Sequence, residues 1–383
     1  MSATKITNLQ KIMLKKSLTS KVFALAAARI IILGITLFLT ASLDAQEVKN
    51  QESTAPFNLT EAHQAVKAYA KQLEDNFIYP DIGKKYANML LSKISNGDYS
   101  KFITAEEFAA TVTRDLQAVY PEGHLKLQPP TGKVAGKTDV SNSPHTNGVG
   151  KYGWLSSKVA YFDYLGFSGD RKDYDEVLIR LRKVLDEFST AKTLIIDVRS
   201  HPGGGLDDVD LMFSYFFDKP VTLVMMDTRL EVEQRSGSPL ANHPTLRIIS
   251  SPEGIVRREH FVKPLEKKTS LSKARIFLLT SNKTASAGEH LVLALKRTKR
   301  ATVIGETTAG AGHFGRTVAL GGGYRAFIPV GRTFDPDTDK GWELTGIEPD
   351  VKVSADKALD EAISRTGINP KKAKKALDSF TTK

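Results

Sequence analysis

From Lys151 onward the chain alternates short apolar runs with segments of helical period, and this alternation restricts the fold more than any other feature. "VAYFDYLGF" (159–167) reads as a strand, "YDEVLIRLRKVLDEF" (174–188) as a helix and "KTLIIDVR" (192–199) as a buried strand. "LDDVDLMFSYFF" then reads as a helix, "VTLVMM" and "ARIFLLT" as strands, "SAGEHLVLALK" as a helix and "ATVIGE" as a strand. "YRAFIPVGRTF" and "VKVSA" add late strands, and "DKALDEAISRTG" closes with a helix. Strands separated by helices of this length predict an α/β layer structure with a largely parallel sheet, in which chemistry collects where strands end and helices begin.

The segment before this core has a different period. Residues 58–120 read as helical: one helix opens near Thr60, a second follows Pro80, and a third starts with Thr104 and Glu107 at capping-box spacing. From Pro129 to Gly150 the composition turns to Gly, Lys, Ser, Thr, Asn and Pro without a period, which predicts a linker or lid loop. The expected organisation is therefore a leader over 1–45, a small helical N-terminal domain over 46–128, the loop over 129–150, the α/β core over 151–368 and a basic tail over 369–383.

The leader is read from charge and hydropathy. Lys5, Lys11, Lys15, Lys16, Lys21 and Arg29 precede an apolar stretch, Ile30 to Leu39, with small residues after it. A basic region, a short apolar region and a small residue at the exit describe a secretory signal, with cleavage expected after Ala45. An uncleaved membrane anchor over Val22–Ala41 is the alternative, although Arg29 interrupts it. Either way the rest of the chain is expected outside the cytoplasm, periplasmic or secreted, in a bacterium. Losing six basic residues and Asp44 with the leader takes the formal charge from +11 to +6. The remaining charge is diffuse, with no basic block interleaved with aromatics, and nucleic acid is not expected as a partner. No cysteine is present, which excludes disulfides, a thiol nucleophile and a thiolate metal site. The eight histidines show no HExxH or comparable spacing, so neither metal nor cofactor is expected.

Two strand-to-helix junctions carry candidate chemistry. "DVRSHPGGG" (197–205) follows one buried strand; its glycines can bring backbone N–H groups close to a ligand oxygen. The run lacks both the GxGxxG spacing and the Walker lysine of phosphate loops, so an oxyanion site or a plain turn are the open readings. The other junction, "LLTSNKTASAGEHLVLALK" (278–296), puts Ser286 at the mouth of an apolar helix. Ser286 and Glu289 have capping-box spacing, and taken alone that is the commoner use of such a serine. A nucleophile at the same place would gain from the free N–H groups and dipole of the helix N-terminus, but it also needs a base and an orienting acid.

"TLIIDVRSHPGGG", "FLLTSNKTASAGEHLVLALK", "ATVIGETTAGAG" and "WELTGIEPDVKV", in this order, resemble the C-terminal processing (tail-specific) serine peptidases. That family includes the tricorn protease core and interphotoreceptor retinoid-binding protein, and the resemblance covers roughly 151–364. It implies a crotonase-like α/β core and makes Ser286 the nucleophile, with Gly203, Gly204 and Ala287 N–H groups as the oxyanion hole. The Ser–Lys branch carries a lysine where this chain has Ala311, so a Ser–Lys dyad is not expected, and no insertion resembles a PDZ domain. The tricorn-like branch instead implies His124, from "YPEGHLKL", as general base and Glu343, from "WELTGIEPD", as the residue that orients it. Imidazole suits the proton transfer near neutral pH, and a carboxylate holds its tautomer.

Three other histidines compete. His290 is one turn along the helix from Ser286, His313 lies in the glycine-rich loop after Glu306 and could line the pocket, and His201 is expected to shape the glycine turn. Glu289 is expected to hold the first turn of the serine helix. The implied function is an exported peptidase acting on peptides or proteins. A non-catalytic protein holding an apolar ligand or peptide on the same fold is the alternative. An acyl-CoA enzyme of the crotonase type is weaker, since that cofactor is cytoplasmic.

Overall fold

The computed structural model describes residues 57–130, 148–167 and 174–380. The expected leader and most of the expected linker, 131–147, lie outside the described residues.

Three helices come first: α1 (Leu59–Asn76), α2 (Pro80–Ser95) and α3 (Ala105–Val119). Asn58 and Thr104 start α1 and α3 in extended backbone, and their side chains accept the N–H of Glu61 and Glu107. Pro80 opens α2, where a missing N–H costs nothing. The chain continues through β1 (Leu127–Gln128), β2 (Val149–Ser156), β3 (Val159–Tyr164), α4 (Tyr174–Glu187), β4 (Thr193–Asp197), α5 (Asp207–Phe216) and β5 (Thr222–Arg229). Then follow α6 (Leu230–Ser236), β6 (Leu246–Ile249), β7 (Ile255–Phe261), β8 (Arg275–Thr280), α7 (Ala287–Arg297) and β9 (Ala301–Gly305). The last elements are β10 (His313–Gly321), β11 (Tyr324–Phe334), β12 (Val351–Lys352), α8 (Ala358–Thr366) and α9 (Pro370–Asp378).

The strands form two sheets. In one, of order β12-β9-β8-β4-β3-β2, every pair is parallel except β2–β3. Its central strands are apolar on both faces, as covered parallel strands must be, and β4 is buried at every position. Leu194, Ile196 and Leu278 pack with Leu181, Met212 and Leu291 of α4, α5 and α7. The alternate residues Ile195, Phe277 and Leu279 pack with Ala362 and Ile363 of α8 and Ala373 of α9. The second sheet, β1-β11-β5-β7-β6 with β10 also on β11, is antiparallel throughout. "VTLVMM" and "YRAFIPVGRTF" therefore belong to this second sheet and not to a single parallel one. An apolar run identifies a strand but not its neighbour.

The helical segment shares a core with the second sheet: Tyr69, Phe108 and Leu116 pack with Tyr324, Ala326 and Ile328. By Cα packing the described residues from Phe57 onward make one compact unit, in which the N-terminal helices share a core with the second sheet. The expected basic tail takes a definite form. Over Pro370–Asp378 it is helix α9, with Ala373 buried, and Phe380 stacks on Tyr161 with ring centroids 6.3 Å apart. Ala373, Ala376 and Leu377 form an apolar face at i, i+3 and i+4, beneath lysines that dominate the composition. Among the described residues no helix is long and apolar enough to cross a membrane.

Candidate active site

Strands β4 and β8 are parallel neighbours, with Asp197 opposite Leu279 at their carboxyl ends. The two junctions noted in the sequence therefore emerge side by side at one edge of the sheet. Hydrogen bonds then lace them together: Val198 N to Leu279 O at 3.0 Å, Ala285 N to His201 O at 2.9 Å, and Thr284 Oγ1 to Val198 O at 2.8 Å.

Ser286 leads into α7 with φ 53° and ψ −120°. An N-cap ordinarily lies in extended backbone, as Asn58 and Thr104 do. A positive φ in a residue with a Cβ costs on the order of 1–3 kcal/mol and persists only where the surroundings enforce it. Two neighbours enforce it here. The Ser286 N–H donates to Glu289 Oε2 at 2.8 Å, and the Ser286 carbonyl accepts from the N–H of Glu289 and His290 at 2.8 and 3.0 Å. On the other side stands Gly203 (φ 114°), where a Cβ would lie 2.7 Å from Ser286 Cβ. Gly204 (φ 135°) is equally tight, its absent Cβ falling 2.3 Å from Phe167 O.

Glu289 is fully buried and does more than hold one turn. Besides Ser286 N–H, its carboxylate accepts from Thr308 Oγ1 (2.6 Å), Gly310 N (2.7 Å) and Ala311 N (2.8 Å). It thus fastens the serine turn to the 308–311 loop.

The three backbone groups assigned to an oxyanion hole are not equivalent. Gly203 N–H donates to His201 Nδ1 at 3.1 Å, so it is committed inside the turn. Gly204 and Ala287, by contrast, line an open cavity of about 820 Å³ together with Ser286. His201 is completely buried beneath the glycines, and burial pushes its pKa down to about 3, which keeps it neutral and Nδ1 free to accept.

The cavity wall also takes in His290, His313 and Trp342, but neither His124 nor Glu343. His124 lies to one side, stacked on Phe327 at 4.9 Å between ring centroids, with its Nδ1 buried and without a hydrogen bond. Glu343 accepts the N–H groups of Gly123 (2.7 Å), Gly312 (2.6 Å) and His313 (3.1 Å).

Between them stands a residue the sequence reading did not single out. Glu122 is buried, accepts His124 N–H at 3.2 Å through Oε1, and meets His313 Nδ1 at 2.5 Å through Oε2. Burial alone would raise its pKa, but hydrogen bonds with His124 and His313 and the charge of His313 hold it down to about 2. Glu343 goes the other way, raised by burial and then by the negative charge of Glu122. One polar atom from each of Glu122, His124 and Glu343 lies within 4.8 Å of the others. That spacing is within the reach of a shared cation but too wide to share a proton, and backbone N–H groups already occupy the carboxylate oxygens of Glu343. The structure thus brings Ser286, Ala287, Gly204, His290 and His313 onto one wall, gathers His124 and Glu343 around Glu122 beside it, and keeps His201 and Glu289 beneath it. Only the acidic residue two places before His124 in "YPEGH" could have drawn attention to Glu122, and that signal is weak.

This fold and this serine junction are those of a known class. The profile of Peptidase family S41 matches residues 158–353, about half of the chain, and that of the N-terminal domain of Peptidase S41 in eukaryotic IRBP matches 58–149. The chain belongs to peptidase family S41. A curated relative, the carboxy-terminal processing protease CtpA of Bacillus subtilis (strain 168), is 27% identical over 206 residues, covering 51% of this chain and 37% of the relative. The chain thus matches little more than a third of that relative's length. Two solved structures share the fold at a TM-score of 0.53: a lipoprotein from Streptococcus agalactiae (17% identity, 80% of this chain and 97% of the other) and a peptidase described as putative from Parabacteroides merdae ATCC 43184 (15% identity, 82% and 98%).

Proposed function

We propose that this chain is an exported serine peptidase that hydrolyses peptide bonds through an acyl-enzyme on Ser286, with the two covered sheets as a crotonase-like core. The observation that carries the reading is the backbone of Ser286: a positive φ at the mouth of a helix, beside a glycine turn, facing an open cavity. A serine used only as a cap needs no such conformation, whereas a nucleophile on a sharp strand-to-helix turn does.

In the reaction Ser286 Oγ bonds to the substrate carbonyl carbon and gives its proton to an imidazole. The N–H groups of Ala287 and Gly204 receive the oxyanion, and Gly203 contributes room in place of a donor. Collapse breaks the C–N bond, the imidazole protonates the leaving amine, and a water activated by the same imidazole releases the acyl group. His124 is the base and Glu343 orients it. Gly123 supports this assignment, because it lies against Gly310 and Ala311, and Ala311 is on the cavity wall. In this reading the His124 ring leaves Phe327 for the serine when substrate binds, since catalytic contacts that are loose without substrate commonly tighten with it. A second reading is favoured by one observation: His313 shares the cavity with Ser286 and is already held by a carboxylate, Glu122.

The deciding experiment is labelling with a peptidyl phosphonate, read by intact mass. The wild type gains one adduct on Ser286, and His124→Ala slows labelling by about 10³-fold or more while His313→Ala changes it by less than tenfold. The reverse order makes His313 the base. A wild type that takes no label and cleaves no peptide library sinks the peptidase reading and leaves a binding protein on the same fold.

A further inference from the structure

On the helix that follows the glycine turn, a single carboxylate sets the proton positions of several polar side chains. Asp210, on α5, accepts from His260 Nε2 at 2.6 Å through Oδ1 and from Thr245 Oγ1 at 2.5 Å through Oδ2. A carboxylate only accepts, so His260 carries its proton on Nε2 and Thr245 points its hydroxyl proton at Asp210. His260 Nδ1 is then a bare acceptor, and His290 Nε2, 2.8 Å away, must donate to it. The Thr245 oxygen likewise accepts from His243 Nδ1, 3.0 Å away. What remains for the cavity is His290 Nδ1, a lone-pair acceptor, and His243 Nε2, since both histidines line it. Burial holds the pKa of His290 well below the imidazole range, so it stays neutral.

The same wall carries an unused donor. Trp342 is buried and lines the cavity, its ring centroid is 6.5 Å from that of His290, and its Nε1–H has no hydrogen-bond partner. His243 Nε2 is also buried and unpartnered, its nearest acid being Asp207 Oδ1 at 3.6 Å. Buried polar atoms without partners are few in folded proteins, and two of them beside a catalytic serine point to a ligand that completes them.

We propose that His290, His243 and Trp342 form a subsite that reads a side-chain carboxamide, so that the peptidase prefers Gln or Asn next to the scissile bond; the inference rests on the peptidase reading above. A primary carboxamide has a carbonyl acceptor for Trp342 Nε1–H, and N–H donors for His290 Nδ1 and for His243 Nε2 when that imidazole is neutral. The competing side chains each leave something unpaired. A carboxylate would face the His290 Nδ1 lone pair and Asp207, with no lysine or arginine among the described residues of the lining. An ammonium would leave the indole N–H empty, and an aliphatic chain would leave all three groups unmatched, the situation in which polar sites discriminate most strongly. His290 is one helical turn from Ser286, which places the subsite beside the reacting carbonyl. His260, Thr245 and Asp210 are positioning residues.

The test is calorimetric binding of capped peptides, identical except for a central Gln, Met or Glu, to the Ser286→Ala protein. Gln is expected to bind about tenfold or more tighter than Met or Glu. Adding Trp342→Phe, which removes the donor and keeps an aromatic ring, is expected to bring Gln to within about threefold of Met, with Met affinity unchanged. Adding Asp210→Asn is expected to shrink the same ratio, which general loosening of the fold would not do selectively. Equal binding of Gln and Met, no measurable binding of any of them, a preference for Glu, or a ratio unmoved by Trp342→Phe each overturns the subsite. Wild-type hydrolysis of the same peptides separates the two readings. Gln-selective binding without cleavage keeps the subsite and removes the acyl-enzyme; cleavage without selectivity does the opposite.

Discussion

Gly203 and Ser286 stand so close that a methyl group on the glycine would lie 2.7 Å from the serine Cβ, and the Gly203 backbone is at φ 114°. Neither the space nor the backbone admits alanine. Gly203→Ala should therefore cost about 2 kcal/mol or more of stability and push Ser286 from its place. A displacement of that order is expected to lower kcat/KM by about 100-fold. Urea unfolding and steady-state kinetics on the same protein check both; an alanine variant with wild-type kinetics would show that the contact does not position the serine.

The strain at Ser286 has its own test. At φ 53° and ψ −120° glycine is at ease and alanine is not. Both Ser286→Ala and Ser286→Gly should be inactive, but the glycine variant should be the more stable by about 1 kcal/mol. Elsewhere near a helix start glycine gains no such advantage over alanine in a helix-compatible backbone, so equal or reversed stabilities would remove strain from the account.

Glu289 accepts four hydrogen bonds from groups that only donate to it. Glutamine has one acceptor oxygen and turns an N–H₂ toward backbone N–H groups. Glu289→Gln is expected to destabilise by about 3 kcal/mol, through lost bonds and buried donors left facing each other. Its loss of activity should exceed that of a surface Glu→Gln control, measured well below the unfolding midpoint.

His201 predicts a pH dependence of stability. Its pKa is about 3 in the fold, against an ordinary value of 6.5, because burial disfavours the imidazolium. Above pH 6.5 both folded and unfolded chains hold it neutral and its contribution is complete. As pH falls from 6.5 toward 3 only the unfolded chain takes the proton, so stability declines, by at most about 1.4 kcal/mol per pH unit for one proton. His290, also depressed by burial, adds to the decline. His201→Asn keeps an acceptor for Gly203 N–H and removes one titration. Its stability–pH slope between pH 4 and 6 should be shallower than wild type by about one proton. An unchanged slope would mean that His201 does not titrate on unfolding as described.

Glu122 shows where local reading stops. The family resemblance singles out its neighbour His124 through "GHLKL" and Glu343 through "WELTGIEPD". Nothing in either stretch says that the Glu122 carboxylate meets His313, a residue from the opposite end of the chain, at 2.5 Å. The same holds for Gly203, whose glycine character was plain while the use of its N–H by His201 was not. It holds again for α9, where four lysines and a proline over 369–375 hid the face that buries Ala373.

By itself the sequence determined the order of strands and helices after Lys151, the two strand-to-helix junctions and the serine and glycines placed on them. Those features rest on periodicity and on short runs of residue type, and both are properties of neighbouring positions. The tertiary structure alone decided which strands share a sheet, that the N-terminal helices complete the core of the antiparallel sheet, and which imidazole nitrogens are donors. Such outcomes depend on pairings between distant residues and on single proton positions. A strand's composition does not name its neighbour, and an imidazole has no fixed donor until a carboxylate such as Asp210 is set against it.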